Sequence, residues 1–188
     1  MMLQKTIYIK NMVCPRCISS VENLLWNLGY EVLDVKLGEA NLRGEINLHK
    51  IKEELEKKGF ELLQDENQQL AEKIKTEIIS IIHHEEINEN YNLSAILSDR
   101  IRVDYHYLSQ VFSEIEGINI ERFYILQRIE KVKELLQYNQ QTIKEIAYSL
   151  GFSSVAHLSA QFKKETGFTP KEYRAKGSPS RKSINSIL

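Results

Sequence analysis

Two cysteines have the residue type and spacing that point most directly to chemistry in this sequence. Cys14 and Cys17 are separated by two residues, and the 188-residue chain contains no other cysteine. So few cysteines exclude the disulfide framework of a small secreted domain and favour a reduced, reactive or metal-binding pair. A thiolate near the N-terminus of a helix has a lowered pKa, which assists both metal binding and redox chemistry. The pair therefore predicts thiol chemistry on one short loop.

Three interpretations of the cysteine pair remain open from the residues alone. Two thiolates on a short loop can converge on one soft metal ion, and copper(I) accepts two thiolates, whereas structural zinc usually takes four ligands. A thioredoxin-like redox centre suits the sequence Cys-Pro-Arg-Cys, although the surrounding segment is short and the next proline is Pro170. An inert remnant is the third interpretation. Soft-metal binding is favoured because both sulfurs lie on one loop.

The elements that must position this loop lie within residues 1–64, which alternate between strand and helix periods. Gly29 and Gly59 stand where helices would end, Asn47 can cap the second helix, and residues 38–41 predict a hairpin turn. The predicted order β-α-β-β-α-β is that of small ferredoxin-like domains, with the cysteines between the first strand and the first helix. The apolar positions that carry these periods are Ile7, Ile9, Ile18, Val21, Leu25, Leu28, Leu33, Val35, Leu37, Leu48, Ile51 and Leu55.

Helical spacing dominates from residue 65 to about residue 175. Residues 64–69 are polar and are interpreted as a linker that runs directly into a helix. Residues 176–188 are rich in serine and are predicted to form a disordered tail. The apolar stripes that predict two of the helices are Leu70, Ile74, Ile78 and Ile81, and then Ile125, Ile129, Val132 and Leu136. The predicted fold class is therefore an α+β domain over 1–64, followed by an all-α domain over 65–175.

An internal repeat with an offset of fifty residues divides the helical part into two copies of one unit, since LSQVFSEIEGI at 108–118 matches LSAQFKKETGF at 158–168. In the second copy, Thr142 and Glu145 predict a capping box at the start of a short helix. A glycine turn follows, and Ser153 or Ser154 can cap the next helix. A short helix, a turn and a second helix form the helix-turn-helix pattern, whose second helix enters the major groove of DNA. The repeat therefore predicts two such motifs.

The second copy, residues 142–174, resembles the second helix-turn-helix of the AraC/XylS family of transcription regulators. The shared elements are Ile-Ala…Leu-Gly-Phe, Phe-Lys-Lys and Gly-Phe-Thr-Pro…Tyr-Arg, and Arg128 falls where the bridging helix of that family usually carries an arginine. The resemblance implies a domain of two motifs that contacts double-stranded DNA. By position, the implied groove-facing residues are Val155, Ala156, His157, Ala160 and Gln161, and the implied phosphate contacts are Lys163, Lys164, Lys171 and Arg174.

The first copy departs further from the family pattern. Its second helix would present Tyr105, His106, Tyr107 and Gln110 to DNA. Ile101 stands where the second copy has the turn residue Gly151, and the acidic Glu114 stands opposite Lys164. Acidic groups near phosphate weaken binding, so we expect this unit to dock poorly or to act as a scaffold.

Residues 3–64 resemble the heavy-metal-associated domain of copper chaperones and metal-pumping ATPases. The Met-x-Cys-x-x-Cys pattern at Met12, Cys14 and Cys17, the order of elements and the length all agree. The resemblance implies that both cysteines bind metal and that Met12 packs beneath the loop. It also places Phe60 near the site, where ATPase-type domains have an aromatic residue. Asn11 stands where many relatives have glycine.

Charge is distributed unevenly along the chain. The net charge is −1 overall, zero over residues 1–64, −6 over 65–140 and +5 over 141–188. Attraction to phosphate is therefore concentrated at the C-terminal end. The sequence shows no apolar stretch long enough to cross a bilayer and no signal-peptide pattern, so the cytoplasm is the expected location, with no membrane partner.

These features predict a sensor domain fused to an output domain. The predicted protein is a sequence-specific DNA-binding transcription regulator that responds to metal, with copper(I) as the first choice and zinc, cadmium or mercury as others. It is not expected to be an enzyme, because no catalytic set stands out beyond the cysteines. The alternatives are a metal carrier whose helical domain binds a protein partner, and a thiol redox-sensing regulator. A homodimer is also compatible with the sequence.

Overall fold

The computed structural model describes residues 4–85 and 92–176, and these form two compact units, Met1–Thr76 and Glu77–Leu188. The division lies inside one helix, whereas the sequence suggested a boundary between residues 64 and 65. The predicted tail lies outside the described residues beyond Lys176. No helix in the described ranges is long and apolar enough to span a membrane.

The N-terminal unit contains the β-α-β-β-α-β order that the sequence predicts. Its four strands form one antiparallel sheet in the order β2-β3-β1-β4. Both helices contribute buried side chains to one apolar core, which includes Ile9, Val21 and Leu55. The Asn47 side chain accepts a hydrogen bond from the Lys50 amide and so caps α2 as predicted. The elements are β1 (Gln4–Lys10), α1 (Pro15–Asn27), β2 (Glu31–Lys36), β3 (Glu39–Arg43), α2 (Leu48–Glu56) and β4 (Glu61–Leu63).

Two details of the second and third strands differ from the prediction. The pairing of β2 with β3 shifts register between Val32 and Asp34, and Leu33 is 39% exposed although it had been assigned to the alternating apolar set. An extra residue at such a bulge turns the following side chains to the other face. The turn consists of Leu37 and Gly38, and residues 39–41 belong to β3, so the predicted turn at 38–41 is wrong by position. Gly38 has φ +81°, which a glycine adopts without strain.

The next helix, α3 (Glu66–His84), begins almost directly after β4. The Asp65 side chain accepts from the Gln68 amide at 2.9 Å and so caps the first turn. Most of the predicted polar linker is therefore helical. The described part of the second unit continues with α4 (Leu93–Ile101), α5 (Tyr105–Glu116), α6 (Ile120–Tyr138), α7 (Ile143–Ser149), α8 (Val155–Thr166) and α9 (Pro170–Ala175).

Each helix from α4 to α9 begins at a side chain that accepts a backbone hydrogen bond: Asn92, Asp104, Asn119, Thr142, Ser154 and Thr169. Such caps satisfy amides that a helix leaves unpaired at its start. The last four helices surround an apolar core in which the Phe162 and Tyr173 rings meet edge to face, with centroids 5.3 Å apart. These contacts fix where α8 lies relative to α6, α7 and α9.

Candidate thiol site and nucleic-acid interface

The two cysteines lie at the start of α1. Cys14 is the N-cap residue, Pro15 follows in the first turn, and the Cys17 amide donates to the Cys14 carbonyl oxygen at 2.9 Å. The sulfur atoms are 3.3 Å apart and both residues are half-buried. The prediction that they converge at a helix N-terminus therefore agrees with the geometry.

The two thiols have different acidities. Burial alone would raise the pKa of Cys14, but hydrogen bonds from Cys17 and the backbone of Arg16, together with the charge of Arg16, outweigh it and lower that pKa. Burial raises the pKa of Cys17, and a neighbouring thiolate at Cys14 raises it further. The surroundings therefore favour a thiolate at Cys14 over one at Cys17.

The donor set fits a soft ion that accepts two sulfur ligands. The two sulfurs, 3.3 Å apart on one loop, would be the atoms that hold such an ion, and as thiolates they would supply two soft ligands. Met12 is fully buried beneath the loop, and Phe60 is 9% exposed. Within the described ranges, no group of three or more His, Cys, Asp or Glu side chains is arranged to hold a metal. The chemistry offered by this loop is thus that of two thiolates.

Asn11 shapes the loop that precedes the cysteines. Its φ of +73° lies in the left-handed region, which explains why glycine suits this position in the family that the sequence resembles. Asparagine tolerates this region better than most residues. The Asn11 side chain donates to the Gly59 carbonyl at 3.1 Å, and its amide donates to the Glu72 carboxylate at 3.1 Å. Glu72 is a contact that the sequence analysis missed, because the two residues are 61 positions apart.

We expect Asn11→Ala to lower the free energy of unfolding by about 1–3 kcal/mol. Alanine tolerates the left-handed backbone conformation less well than asparagine does, and it also loses the side-chain hydrogen bond to Gly59. Asn11→Gly is the matched control, because it keeps the backbone freedom and loses only the side-chain bond. Urea denaturation should therefore rank wild type and Asn11→Gly close together and Asn11→Ala clearly below them. Equal losses in both variants would contradict a role for the backbone conformation.

The second helix-turn-helix has the geometry that the sequence predicts. The Thr142 amide donates to the Glu145 carboxylate at 2.6 Å, and the Glu145 amide donates to the Thr142 hydroxyl at 3.2 Å, which completes the capping box. Gly151 forms the turn with φ +67°, and Ser154, the second of the two serines considered, caps α8. The buried residues of the two helices, among them Ile146, Leu158 and Phe162, attach the pair to α6 and α9. The opposite face of α8 therefore points away from this core.

That outward face collects most of the side chains predicted to contact DNA. Val155, Ala156, His157 and Ala160 are exposed, Gln161 is half-buried, and Lys163 and Lys164 are exposed on the last turns of α8. Lys171 is exposed on α9, whereas Arg174 is half-buried and donates to the Gln141 carbonyl at 2.8 Å. These placements give α8 a small, partly apolar N-terminal surface and a basic C-terminal end.

His157 is held in one orientation at the start of α8. Its amide donates to the Ser154 hydroxyl at 3.0 Å, and its Nδ1 lies 3.1 Å from the Ser153 hydroxyl oxygen. The imidazole ring also meets the Phe152 ring edge to face, with centroids 5.5 Å apart. Local contacts thus restrain the ring and leave Nε2 as the atom available for an outside partner.

The first motif turns at a different residue from the second. Ile101, which stands at the repeat position of Gly151, is the buried last residue of α4, and Arg102 adopts the left-handed conformation with φ +62°. Residues 102–104 separate α4 from α5, whereas residues 150–154 separate α7 from α8. The first turn is shorter because α4 continues two residues further along the repeat.

The surface of α5 differs chemically from that of α8. The Tyr105 hydroxyl donates to the Glu121 carboxylate, and burial together with this bond raises the pKa of Tyr105. The Gln110 amide donates to Glu114 at 3.0 Å, while His106 and Tyr107 are exposed. Helix α5 contains two acidic residues and no lysine or arginine, whereas α8 contains two lysines and one glutamate. Electrostatics therefore favours α8 over α5 as a contact for phosphate.

Residues 97–176 match the family model described as a helix-turn-helix domain. The chain also resembles the C-terminal domain of AraT, a response regulator from Geobacillus stearothermophilus, with a TM-score of 0.53, 24% identity, and coverage of 63% of this chain and 94% of that one. The C-terminal part of the chain is therefore a helix-turn-helix domain, and its fold is that of the AraT domain. At this level of identity the solved structure bears on the fold alone.

Curated relatives of the helix-turn-helix type match part of the chain. An uncharacterized HTH-type transcriptional regulator from Staphylococcus aureus (strain MSSA476) is 39% identical over 87 residues, which cover 46% of this chain and 12% of the relative. The HTH-type transcriptional activator RhaS from Escherichia fergusonii is 28% identical over 78 residues, which cover 42% of this chain and 28% of that protein. The chain thus spans well under a third of the length of either relative.

The bridging helix α6 of the helix-turn-helix domain holds α8 and its turn. The two terminal nitrogens of the Arg122 guanidinium, Nη1 and Nη2, donate to the two carboxylate oxygens of Glu165 in α8, at 2.5 and 2.7 Å. The Arg128 guanidinium lies 3.7 Å from the centre of the Phe152 ring and 5.2 Å from that of the Tyr124 ring. The arginine that the resemblance singled out therefore stacks on the turn of the second motif. The Arg122–Glu165 pair had no signal in the sequence, because its partners are 43 residues apart.

Loss of the Arg122–Glu165 pair is expected to destabilise the domain modestly, and in a pH-dependent way. The hydrogen bonds from Arg122 lower the pKa of Glu165 below its ordinary value. A lowered carboxyl pKa contributes stability above the unfolded pKa of about 4.3, and that contribution disappears as pH falls through the folded value.

Because Arg122 is 43% exposed, solvent screening limits the effect of Glu165→Gln to about 0.5–1 kcal/mol at pH 7. Thermal unfolding of wild type and variant should differ at pH 7, and the difference should shrink as pH falls below the unfolded carboxyl pKa of about 4.3. A difference that does not shrink as pH falls would show that packing, not charge, accounts for the loss. Glu121→Gln, at the residue before Arg122 in α6, removes the acceptor of the Tyr105 hydroxyl and tests whether another carboxylate in this region behaves alike.

Proposed function

We propose that this chain is a sequence-specific transcription regulator that binds double-stranded DNA through α8 and responds to a soft metal ion at Cys14 and Cys17. The observation that carries the DNA-binding part is the outward face of α8. This face is exposed, combines small side chains with His157 at its start, and ends in two lysines. A helix presented in this way fits the major groove.

The side chains of α8 and α9 divide into two roles. His157 and Gln161 are suited to hydrogen bonds with base edges, while Val155, Ala156 and Ala160 can contact thymine methyl groups. Four basic residues, Lys163, Lys164, Lys171 and Arg174, are suited to phosphate oxygens. In the first motif, His106 and Tyr107 are the exposed candidates, and the acidic character of α5 gives that helix the smaller share of the affinity.

The metal arm of the proposal rests on the thiol loop. We propose a ferredoxin-like, heavy-metal-associated domain, supported by the observed β-α-β-β-α-β order and by the cysteines at the start of α1. Copper(I) is the first candidate because two thiolates complete its coordination, whereas zinc or cadmium would need further ligands, for example from a second copy of the chain. A bound soft ion would hold both sulfurs and release their protons.

The proposal is tested by selecting genomic DNA fragments from the source organism on the purified, reduced protein and then footprinting the recovered sites. A transcription regulator should protect a defined DNA site that is long enough for one or two major-groove contacts, and copper(I) should change the affinity for that site. A protein that protects no site while still binding copper would be a metal carrier whose helical domain binds a protein partner. Footprints that respond to neither metal nor oxidant would leave a DNA-binding protein without the sensor role.

A thiol redox sensor is the second candidate, and the thiol geometry favours it specifically. The sulfur atoms lie 3.3 Å apart, and the lowered pKa of Cys14 makes it a nucleophile toward a peroxide. Two thiols and one hydrogen peroxide would yield one disulfide and two waters. Mass spectrometry of peroxide-treated, metal-free protein shows whether the disulfide forms, and the DNA affinity of the same sample separates the candidates. Only the redox sensor should combine oxidation with a change in DNA affinity.

A further inference from the structure

The first half of α3 meets the N-terminal unit through a stripe of polar side chains. Gln69, Glu72 and Thr76 are spaced three and four residues apart, so they lie on one face of the helix. The Gln69 side-chain amide donates to the Leu63 carbonyl at 3.1 Å, and a Cβ at Gly38 would lie 3.0 Å from the Thr76 methyl group. Glu72 stands between these two contacts. The stripe therefore fixes α3 onto the loops of its own unit.

Glu72 makes the contact that reaches the thiol loop. Its Oε1 accepts the Asn11 amide hydrogen at 3.1 Å, and Lys75 Nζ lies 3.6 Å from its other oxygen. The residue is only 5% exposed. A carboxylate is costly to bury unless it is paired and hydrogen-bonded, so these contacts are the reason that it can occupy this position.

Asn11 is the point at which the loop depends on its surroundings. Two residues separate it from the first thiol, and one of them, Met12, is fully buried. Its left-handed backbone conformation, its side-chain bond to Gly59 and its amide bond to Glu72 together determine the direction in which the chain enters the cysteine segment. A movement of that segment therefore alters the bond to Glu72, and a loss of Glu72 frees the segment.

We infer that Glu72 is a positioning residue of the thiol site, which sets the conformation of the cysteine loop from helix α3. Helix α3 follows the last strand of the β-α-β-β-α-β unit, so this contact comes from outside the elements that carry the cysteines. The inference has a reciprocal consequence. Because coupling free energies act in both directions, an ion held by the cysteines changes the strength of the Glu72 contact. Residues 77–84 of the same helix belong to the unit that contains the helix-turn-helix motifs, so α3 is the segment of chain through which that change can travel.

The test compares Glu72→Ala with Glu72→Gln and with Glu66→Ala, an exposed glutamate on the first turn of the same helix. The first measurements use reduced, metal-free protein: hydrogen exchange of the Asn11 amide and the rate of iodoacetamide alkylation at fixed pH. Glu72→Ala should exchange the Asn11 amide at least roughly tenfold faster and change the alkylation rate several-fold, because one charge-assisted bond is lost. Glu72→Gln retains an acceptor oxygen and should recover most of the protection. Glu66→Ala should match wild type in both measurements.

The metal-dependent part of the inference rests on the proposed function and is measured separately. Competitive copper(I) titration should give Glu72→Ala an affinity that differs roughly tenfold from wild type, as for other residues that orient metal ligands indirectly. The copper-induced change in DNA affinity should also shrink in this variant while the metal-free DNA affinity stays the same. Circular dichroism shows whether each variant folds. If Glu72→Ala does not fold, the same measurements on Glu72→Gln test the role of Glu72.

Two outcomes separate failure of the inference from failure of the proposed function. Unchanged Asn11 exchange and unchanged alkylation in a folded Glu72→Ala protein would overturn the inference, whatever the metal does. Altered exchange and alkylation in a protein that binds no copper would uphold Glu72 as a positioning residue of the thiols and refute the metal arm.

Discussion

Replacing Lys163 and Lys164 by alanine is expected to weaken DNA binding by roughly 10- to 100-fold at physiological salt and to lower the slope of log affinity against log salt by about two. Both lysines are exposed on the last turns of α8, beyond the small residues and His157 that would enter the groove. Each phosphate contact releases condensed counterions when it forms, so the loss of two contacts removes both affinity and salt dependence. Sequence preference should change little, because phosphate contacts carry no base information.

The equivalent positions of the first motif provide a matched control for this experiment. Ser113 and Glu114 stand fifty residues before the two lysines in the internal repeat. Alanine at both should leave DNA affinity unchanged or raise it slightly, since an acidic group near phosphate is removed. Fluorescence anisotropy with a selected fragment at several salt concentrations measures all these variants. Equal losses from the two pairs would show that both motifs contact DNA alike, which would contradict the assignment of most affinity to α8.

The Cys14→Ser/Cys17→Ser double variant is expected to lose tight copper(I) binding, with a fall in affinity of at least roughly a thousandfold. A hydroxyl is a hard, protonated ligand at neutral pH, whereas copper(I) favours soft thiolates. The fold should survive the change, because both side chains are half-buried and serine is close in volume. A competitive titration of reduced protein measures the loss, and its stoichiometry shows whether one ion serves one chain or two.

Single variants show how the two thiols share the ion. We expect either one alone to lose most of the affinity, because the described residues offer no third His, Cys, Asp or Glu ligand in a group around the pair. DNA affinity in the absence of metal should be the same for wild type and the double variant. Retention of tight copper binding by the double variant would place the metal elsewhere and refute the thiol site. Loss of copper binding with an intact copper response on DNA would separate the sensor from these cysteines.

Short-range patterns in the sequence determined most of the secondary structure and the type of the output domain. Side chains that cap their own helices act over three residues, so Asn47, Ser154 and the Thr142–Glu145 box could be identified from the residues alone, and the structure confirms them. The helical periods of the second motif are equally local. The internal repeat and the family elements then led to the helix-turn-helix assignment, which the family model supports for residues 97–176.

Tertiary structure decided the features that depend on partners far along the chain. The bulge that exposes Leu33 and the left-handed turn at Arg102 arise where strand pairing and helix packing overrule the local pattern. Arg122 meets Glu165 across 43 residues, and Asn11 meets Glu72 across 61. Neither pair leaves a periodic signal, because a single hydrogen-bonded contact constrains two residues and not the spacing between them. The sequence alone therefore predicted the thiol pair and the helix proposed to enter DNA, whereas only the folded chain showed what holds each of them in place.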